Sequence, residues 1–194
     1  DVIYEDVVRF FAERIERARA PRPEPREREI EDAFAGLRKP IGPREVEVKH
    51  VYRPFEVCGI ELEYPVVDRD LNALACVENA FEAFEGRPTS GVDLGVVGFS
   101  NEIMAHVLEV KTYAPLRSLA RTEEVLYEGV QRFNTFLQRR FEARLLPTGM
   151  HPWLRPEKAK LWKRSNSRIY ATYARLFPVK THGWANVQAS HVNL

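Results

Sequence analysis

The sequence contains little cysteine, little net charge and no long apolar segment. Its two cysteines, Cys58 and Cys76, are too few for a disulfide framework or a cysteine-based zinc site among 194 residues, which favours a reducing, cytoplasmic setting. A formal net charge of +1 gives no overall field that would attract nucleic acid or an anionic membrane surface. The N-terminus also lacks the pattern of a secretory signal. These absences favour an ordinary globular protein over a secreted, membrane or nucleic-acid-binding one.

The first 44 residues predict a helical arm in front of the main domain. Apolar residues recur at helical spacing over 3–20, three prolines within 21–25 exclude helix there, and a short charged helix follows over about 26–37. We therefore assign residues 1–44 to an N-terminal arm and 45–194 to one domain. Because the chain lacks an initiator Met and its last residues alternate like a strand, we expect it to be one part of a longer protein.

The main domain alternates strand and helix patterns. Period-two alternation predicts strands over 57–67, 103–112, 144–150 and 184–194. Helical periodicity predicts helices over 118–142, with Ser118 as the N-cap, and over 165–177. Weaker patterns fit an edge strand over 45–56 and a loop over 88–98, and leave 71–85 open between strand and helix. This order predicts an α+β fold, an antiparallel-rich sheet with helices packed on one of its faces.

Two carboxylates lie two residues apart in the strand predicted over 57–67. In an extended strand Glu61 and Glu63 point to one face, about 6–7 Å apart at the backbone, while Ile60 and Leu62 point to the other. Two explanations fit such close like charges: a solvated sheet face, or a divalent cation bound by oxygen ligands. The spacing alone favours neither.

Further polar residues are expected on the same face of the sheet. Glu109 and Lys111 share one side of a second strand, where the structural alternative is a cross-strand ion pair of little energetic value. His191 and Asn193 share one side of the last strand, and Glu102 lies just upstream of the second. A lone histidine is more often structural than a ligand, so the interpretation as a metal site depends on the convergence of these residues.

Five segments resemble, in order, motifs of the bacterial and archaeal glutamate–cysteine ligase family and its carboxylate–amine ligase relatives. They are Gly59-Ile60-Glu61-Leu62-Glu63-Tyr64, similar to a G-x-E-x-E strand; Leu108-Glu109-Val110-Lys111-Thr112, similar to E-x-K-T; Arg117-Ser118-Leu119, similar to R-S-L; Pro147-Thr148-Gly149-Met150-His151-Pro152, similar to G-T-H-P with one extra residue; and His191-Val192-Asn193, similar to the H-x-H or H-x-N strand of the glutamine synthetase superfamily. The resemblance covers about 57–194, and it implies that this stretch is the N-terminal half of the family's domain.

The resemblance implies a glutamine synthetase-like catalytic fold and an ATP-dependent ligase. Such an enzyme joins a carboxylate, expected to be glutamate, to an amine such as cysteine through an acyl-phosphate, with Mg²⁺ or Mn²⁺ as cofactor. Its partners would be these small molecules, with neither nucleic acid nor membrane.

The resemblance also implies roles for individual residues. Metal ligands would be Glu61, Glu63, Glu109 and Glu102. His191 and Lys111 would be catalytic, His191 in contact with the transferred phosphate or its metal. Asn193, Arg164 and Arg168 would contact the nucleotide, although solvated helix residues are the favoured explanation of the two arginines.

The resemblance covers only part of the family's catalytic domain, since family members continue well past the H-x-N strand. We therefore expect the fold within this chain to be incomplete, and a partner chain or self-association to complete it. Two other classes of function stay open. One is a non-catalytic ligase-like domain that acts as a partner subunit, and the other is a metal-dependent hydrolase that uses the same carboxylates.

Overall fold

The computed structural model describes residues 34–43 and 51–194. The helix predicted over 3–20 and most of the one predicted over 26–37 lie outside these ranges; residues 34–37 are helical. The strands are β1 Gly59–Val67, β2 Gly91–Asp93, β3 Val97–Asn101, β4 Val107–Thr112, β5 Arg144–Leu145 and β6 Ser190–Asn193. The helices are α1 Val77–Glu85, α2 Leu119–Phe141, α3 Ser167–Leu176 and α4 His182–Ala185, with a 3₁₀ turn at Pro156–Lys158.

All pairings between the named strands are antiparallel, and β1 lies at the centre of the sheet. The strand order is β2-β3-β4-β1-β5, and β6 pairs with the same edge of β1 as β5 does. That edge is divided, because β6 pairs with residues 59–62 and β5 with residues 66–67. The α+β fold with an antiparallel sheet is therefore confirmed.

Two helices cover one face of the sheet with an aromatic core. Ser118 caps α2 by accepting a hydrogen bond from the backbone N–H of Arg121. Phe133 of α2 stacks on Phe99 of β3 with ring centroids 4.6 Å apart, and it also contacts Phe84 of α1 at 5.4 Å. Ile60, Leu62 and Tyr64 of β1 pack against this core. The opposite side of β1 therefore carries the acidic residues.

A smaller apolar cluster lies over one end of the acidic face. Val107 packs there with Met104, Ala159, Val179 and Ala185. Because Val107 and Glu109 are two residues apart in β4, they share a face of the sheet. The segments around Ala159 and Ala185 thus enclose one end of the acidic face.

The prediction of a loop over 88–98 is wrong, since this stretch forms β2 and the start of β3. Its glycines hide the strand pattern but suit the close backbone contacts: a Cβ on Gly91 would lie 2.4 Å from the carbonyl oxygen of Phe99. Gly95 has φ +85° in the turn between the strands, a conformation that glycine adopts without strain.

Other strand predictions are too long. Residues 51–56, the described part of the predicted edge strand, form no strand. The strand predicted over 144–150 ends at Leu145, two residues before Pro147, which has no N–H to donate. The last strand begins at Ser190, because residues 182–185 instead form α4 and bury Ala185.

Two further predictions differ from the structure in the residue at which an element begins. The strand predicted over 103–112 begins at Val107, whose N–H closes a turn onto the carbonyl of Met104 at 3.0 Å. Residues 71–85, which the sequence left undecided between strand and helix, form α1 from Val77 onward. Within the described ranges, no helix has both the length and the apolarity needed to cross a membrane.

Replacing Phe133 with alanine should strongly destabilise the protein. Its ring is fully buried between the sheet and α1, so Phe133→Ala is expected to reduce the free energy of unfolding by about 3–5 kcal/mol. Urea denaturation followed by circular dichroism measures this. Tyr127→Ala, at a position of the same helix that is 66% exposed, is the control and should change the free energy by less than about 1 kcal/mol. Equal effects of the two changes would contradict the described core.

Candidate metal centre

The strand register places acidic and basic side chains on one face of the sheet. Glu63 of β1 lies directly opposite Glu109 of β4, and Glu61 lies opposite Lys111. On the other edge of β1, Glu61 lies opposite His191 of β6. Because directly opposite residues of antiparallel strands share a face, the structure brings these five residues together.

Ligand atoms on this face form two overlapping clusters. The first contains Glu61, Glu109 and His191, and the second contains Glu63, Glu102 and Glu109. Within each cluster, one ligand atom per residue lies within 4.8 Å of the others. Glu109 belongs to both clusters and is only 6% exposed, so it is the buried centre of the acidic face.

Two neighbouring donors stabilise the buried carboxylate of Glu109. The ammonium of Lys111 lies 2.6 Å from its Oε1, and the hydroxyl of Ser100 donates to the same oxygen at 2.9 Å. Burial disfavours the charge of Lys111, but the hydrogen bond and the nearby carboxylates outweigh burial and raise its pKa. Ser100 escaped the sequence analysis because it lies in β3, whose start was predicted as loop; its register opposite Glu109 brings it into the site.

Glu63 is tied to the segment that leads into β6. Its Oε2 accepts a hydrogen bond from the backbone N–H of Ala189 at 3.0 Å, and its own N–H donates to the carbonyl of Ala189. Burial, with smaller contributions from the charges of Glu109 and Glu61, raises the pKa of Glu63 although the Ala189 hydrogen bond opposes this. The hydrogen bond thus fixes the position of the carboxylate, while burial disfavours its charge.

Glu102 follows β3 and completes the second cluster. Burial is the main cause that raises its pKa to about 7, and the charges of Glu63 and Glu109 add to it. Removal from water and two nearby carboxylates therefore both disfavour the charged form of Glu102. A divalent cation bound by these carboxylates would favour the charged form instead.

His191 and Asn193 lie at the outer edge of the site. The Nδ1 of His191 is 3.4 Å from Oε2 of Glu61, and Asn193 lies opposite Gly59, which has no side chain to cover it. Asn193 and Glu61 line a cleft of about 430 Å³ that Tyr113 also borders. This cleft gives a ligand access to Glu61 of the first cluster from the Gly59 end of β1.

Tyr113 was not found by sequence reasoning. Its ring occupies the space above Gly98, where a Cβ would lie 2.1 Å from the ring, and its hydroxyl donates to the carbonyl of Val92. Gly98 is paired with Lys111, so the ring lies on the acidic face. A tyrosine just after an acidic strand, two residues beyond Lys111, was the available signal.

The two predicted arginines do not join either cluster. Arg164 forms ion pairs with Glu82 and Glu78 of α1, the latter at 3.9 Å. Arg168 is exposed in the first turn of α3. The same helix instead approaches the site through Tyr170: its hydroxyl accepts a hydrogen bond from Asn101 at 2.9 Å, and burial and the charge of Glu102 raise its pKa.

The loop that resembles G-T-H-P has a structural role in this fold. His151 is buried, and its Nε2 lies 2.7 Å from the carbonyl oxygen of Leu71. Asn186 fixes the backbone of the same residue by accepting from its N–H and donating to its carbonyl, both at 2.9 Å. These bonds connect the loop to the end of β1 and to α4.

Comparison with known proteins identifies the family. The sequence profile of glutamate–cysteine ligase family 2 matches residues 57–194, which include all six strands and every residue of the two clusters. This chain belongs to glutamate–cysteine ligase family 2. The resemblance seen in the five sequence segments is therefore confirmed.

A curated relative extends the comparison within glutamate–cysteine ligase family 2. An uncharacterized protein of Archaeoglobus fulgidus is 36% identical over 136 residues, which are 70% of this chain and 36% of the relative. The chain therefore spans little more than a third of the length of this relative.

The raised pKa of Glu102 predicts a pH-dependent effect of removing its charge. Glu102 keeps its proton in the folded state up to about pH 7, whereas the unfolded chain loses it near pH 4.5. Its contribution to stability is complete below pH 4.5 and is lost as the pH rises through 7. Without metal, Glu102→Gln should therefore raise the free energy of unfolding relative to the parent at pH 8, by about 1–3 kcal/mol, but little at pH 4.5.

Urea denaturation at both pH values, with EDTA present, measures this difference. Glu123→Gln, on the exposed side of α2, is the matched control for the removal of a surface carboxylate. A Glu102→Gln effect that is equal at pH 4.5 and pH 8 would contradict the raised pKa.

Proposed function

We propose that this chain carries the metal-binding part of an ATP-dependent ligase that joins a carboxylate to an amine. Glutamate is the expected carboxylate, and cysteine or another amino compound is the expected amine. The observation that carries the proposal is the pair of clusters that share the buried Glu109. Membership of glutamate–cysteine ligase family 2 supports a ligase.

The residues present fit magnesium, or manganese, as the cofactor. The donors are carboxylate oxygens and one imidazole, and hard divalent cations prefer oxygen ligands. The charge of Glu102 is disfavoured mainly by burial and then by the charges of Glu63 and Glu109, and a bound cation would stabilise it. Glu61, Glu63, Glu102 and Glu109 would hold the metal with His191. When bound, it would neutralise phosphate charge during phosphoryl transfer.

Lys111 and Asn193 are the residues that we assign to ATP. The ammonium of Lys111 is held by Glu109 on the acidic face, where a fixed cation attracts the charge of the transferred phosphoryl group. Asn193 lines the cleft beside Glu61 and offers both a donor and an acceptor. Of the two arginines, Arg168 is the better candidate, because Arg164 is paired with two carboxylates of α1.

The proposed reaction has two steps. The substrate carboxylate attacks the γ-phosphorus of ATP, which forms an acyl-phosphate and releases ADP. The amine then attacks the acyl carbon, inorganic phosphate leaves, and the amine gives up a proton as the amide forms. His191, which lies 3.4 Å from Glu61, would contact the phosphate group or its metal from the open edge of the site.

We also propose that another polypeptide segment packs on the surface around α3. No residue of α3 is buried, and an apolar set lies exposed on and after it: Ile169, Tyr173, Leu176, Phe177 and Trp184. The last two of these rings stack at 5.4 Å. Exposed apolar patches of this kind mark interaction surfaces, and the curated relative is much longer than this chain. A partner chain or self-association would complete the site.

A non-catalytic ligase-like domain that acts as a partner subunit is the second candidate, which the same exposed surface supports. Gel filtration with an amide-formation assay separates the two. A monomer that forms amide from ATP, glutamate and an amine would exclude the second candidate. Turnover without any nucleotide would instead favour a hydrolase.

A cytoplasmic location belongs to the proposal and is supported by two free buried thiols, Cys58 and Cys76.

Magnesium-dependent ATP binding is the direct test of the proposed site. Removing a carboxylate from either cluster should weaken ATP binding in the presence of Mg²⁺, because fewer ligands hold the metal. We expect a loss of at least about tenfold for Glu61→Gln and for Glu109→Gln, measured by isothermal titration calorimetry. Glu123→Gln should bind as the parent does. The proposal fails if ATP binds equally well in EDTA, or if both site variants keep full affinity.

A further inference from the structure

The two carboxylate oxygens of Glu109 have unequal surroundings. Its Oε1 accepts a hydrogen bond from the ammonium of Lys111 at 2.6 Å and another from the hydroxyl of Ser100 at 2.9 Å. Within the described ranges its Oε2 has no hydrogen-bond partner, yet this oxygen keeps some contact with solvent, unlike buried unpaired atoms such as Nε1 of Trp162. The buried carboxylate is therefore anchored through one oxygen and free at the other.

Glu63, which lies directly opposite Glu109, shows the same division. Its Oε2 accepts from the backbone N–H of Ala189 at 3.0 Å, and its Oε1 has no hydrogen-bond partner in the described part of the chain. Both residues belong to the second acidic cluster. Two facing carboxylates, each anchored through one oxygen, thus leave their second oxygens for a cation.

The two donors to Oε1 of Glu109 are not equivalent. Lys111 carries a positive charge on a long, flexible side chain that is 31% exposed, and its ammonium is the group assigned above to the transferred phosphoryl group. Ser100 has a short, neutral side chain with one donor hydrogen. It can orient the carboxylate without cancelling the negative charge that attracts a cation. Ser100 is therefore the donor suited to hold Oε1 while Lys111 contacts phosphate.

The register of the sheet fixes the position of the Ser100 hydroxyl. Ser100 is half-buried in β3 and lies opposite Glu109 of β4 on one edge and opposite Gly91 of β2 on the other. Its backbone is thus held between two neighbouring strands. Gly91 has no side chain that could compete for the hydroxyl, which is therefore available to Glu109.

We propose that Ser100 is a positioning residue of the metal centre. Its hydroxyl holds Oε1 of Glu109 and so orients the carboxylate with Oε2 as the oxygen that coordinates the divalent cation. Hydrogen-bonding partners of metal ligands commonly contribute about tenfold to hundredfold to metal affinity. The inference rests on the proposed function, because it requires that the acidic clusters bind a divalent cation.

Mn²⁺ titrations of the whole 194-residue chain test the inference. Electron paramagnetic resonance of the free ion, at pH 7.5 and without nucleotide, measures affinity independently of turnover. We expect Ser100→Ala to weaken Mn²⁺ binding about tenfold, and Ser100→Thr, which keeps the hydroxyl, to remain within about twofold of the parent. Ser190→Ala is the matched control and should bind as the parent does. Ser190 is an exposed serine of β6 opposite Leu62, so its side chain lies on the face away from the acidic residues.

A double-mutant cycle separates positioning from direct coordination. If Ser100 acts through Glu109, Ser100→Ala should weaken binding no further, within about twofold, once Glu109→Gln has removed the carboxylate. If the hydroxyl of Ser100 bound the metal itself, the two losses would multiply, and the inference would be overturned. A hydroxyl with only a structural role would leave the Mn²⁺ affinity of Ser100→Ala at the parent value, which would also overturn it.

Failure of the inference and failure of the proposed function give different results. A parent chain that binds no Mn²⁺, or a Glu109→Gln variant with full affinity, overturns both. A loss in Glu109→Gln with none in Ser100→Ala overturns the inference alone. If Ser100→Ala does not fold, Ser100→Thr and Ser100→Val decide the question, because their side chains have similar shapes and differ in the hydroxyl. Equal Mn²⁺ affinities of these two variants would overturn the inference.

Discussion

The antiparallel register between β1 and β4 is the constraint on which the site depends. It places Glu63 directly opposite Glu109, although like charges in that position destabilise a sheet. A shift of one residue would move the carboxylates of β1 into the core and its apolar residues into solvent. The packing of Ile60 and Leu62 against the aromatic core therefore fixes the acidic face as firmly as it fixes the fold.

The protein compensates this repulsion only in part. Lys111 and Ser100 both contact Glu109, and the N–H of Ala189 donates to Glu63, but burial, and then the charges of Glu63 and Glu109, raise the pKa of Glu102 to about 7. An arrangement that is rigid, acidic and incompletely compensated suits a site whose charge balance is completed by a bound cation. Because the carboxylates of β1 and β4 project from paired strands, they need little reorganisation to bind one.

Much of this face could be predicted because the side-chain period of a strand is local. The spacing of Glu61 and Glu63, and of Glu109 and Lys111, fixes which residues share a side without knowledge of any partner strand.

What could not be predicted depends on pairing between distant segments. β2 and the start of β3 were missed because their glycines serve close backbone contacts. Ser100 was missed as a site residue for the same reason, since it lies in β3. Arg164 looked available in the sequence, yet tertiary packing gives it Glu78 and Glu82 of α1 as partners. The helix at 182–185 replaced part of a predicted strand because burial of Ala185 overrides local alternation.

The location of a bound divalent cation tests the central claim most directly. Crystals of the chain soaked with Mn²⁺ and a non-hydrolysable ATP analogue would give an anomalous signal at the metal. The account predicts at least one peak about 2.0–2.6 Å from carboxylate oxygens of the two acidic clusters, with Glu109 among the ligands. A peak bound only by residues outside these clusters, or no peak at saturating Mn²⁺, would contradict it.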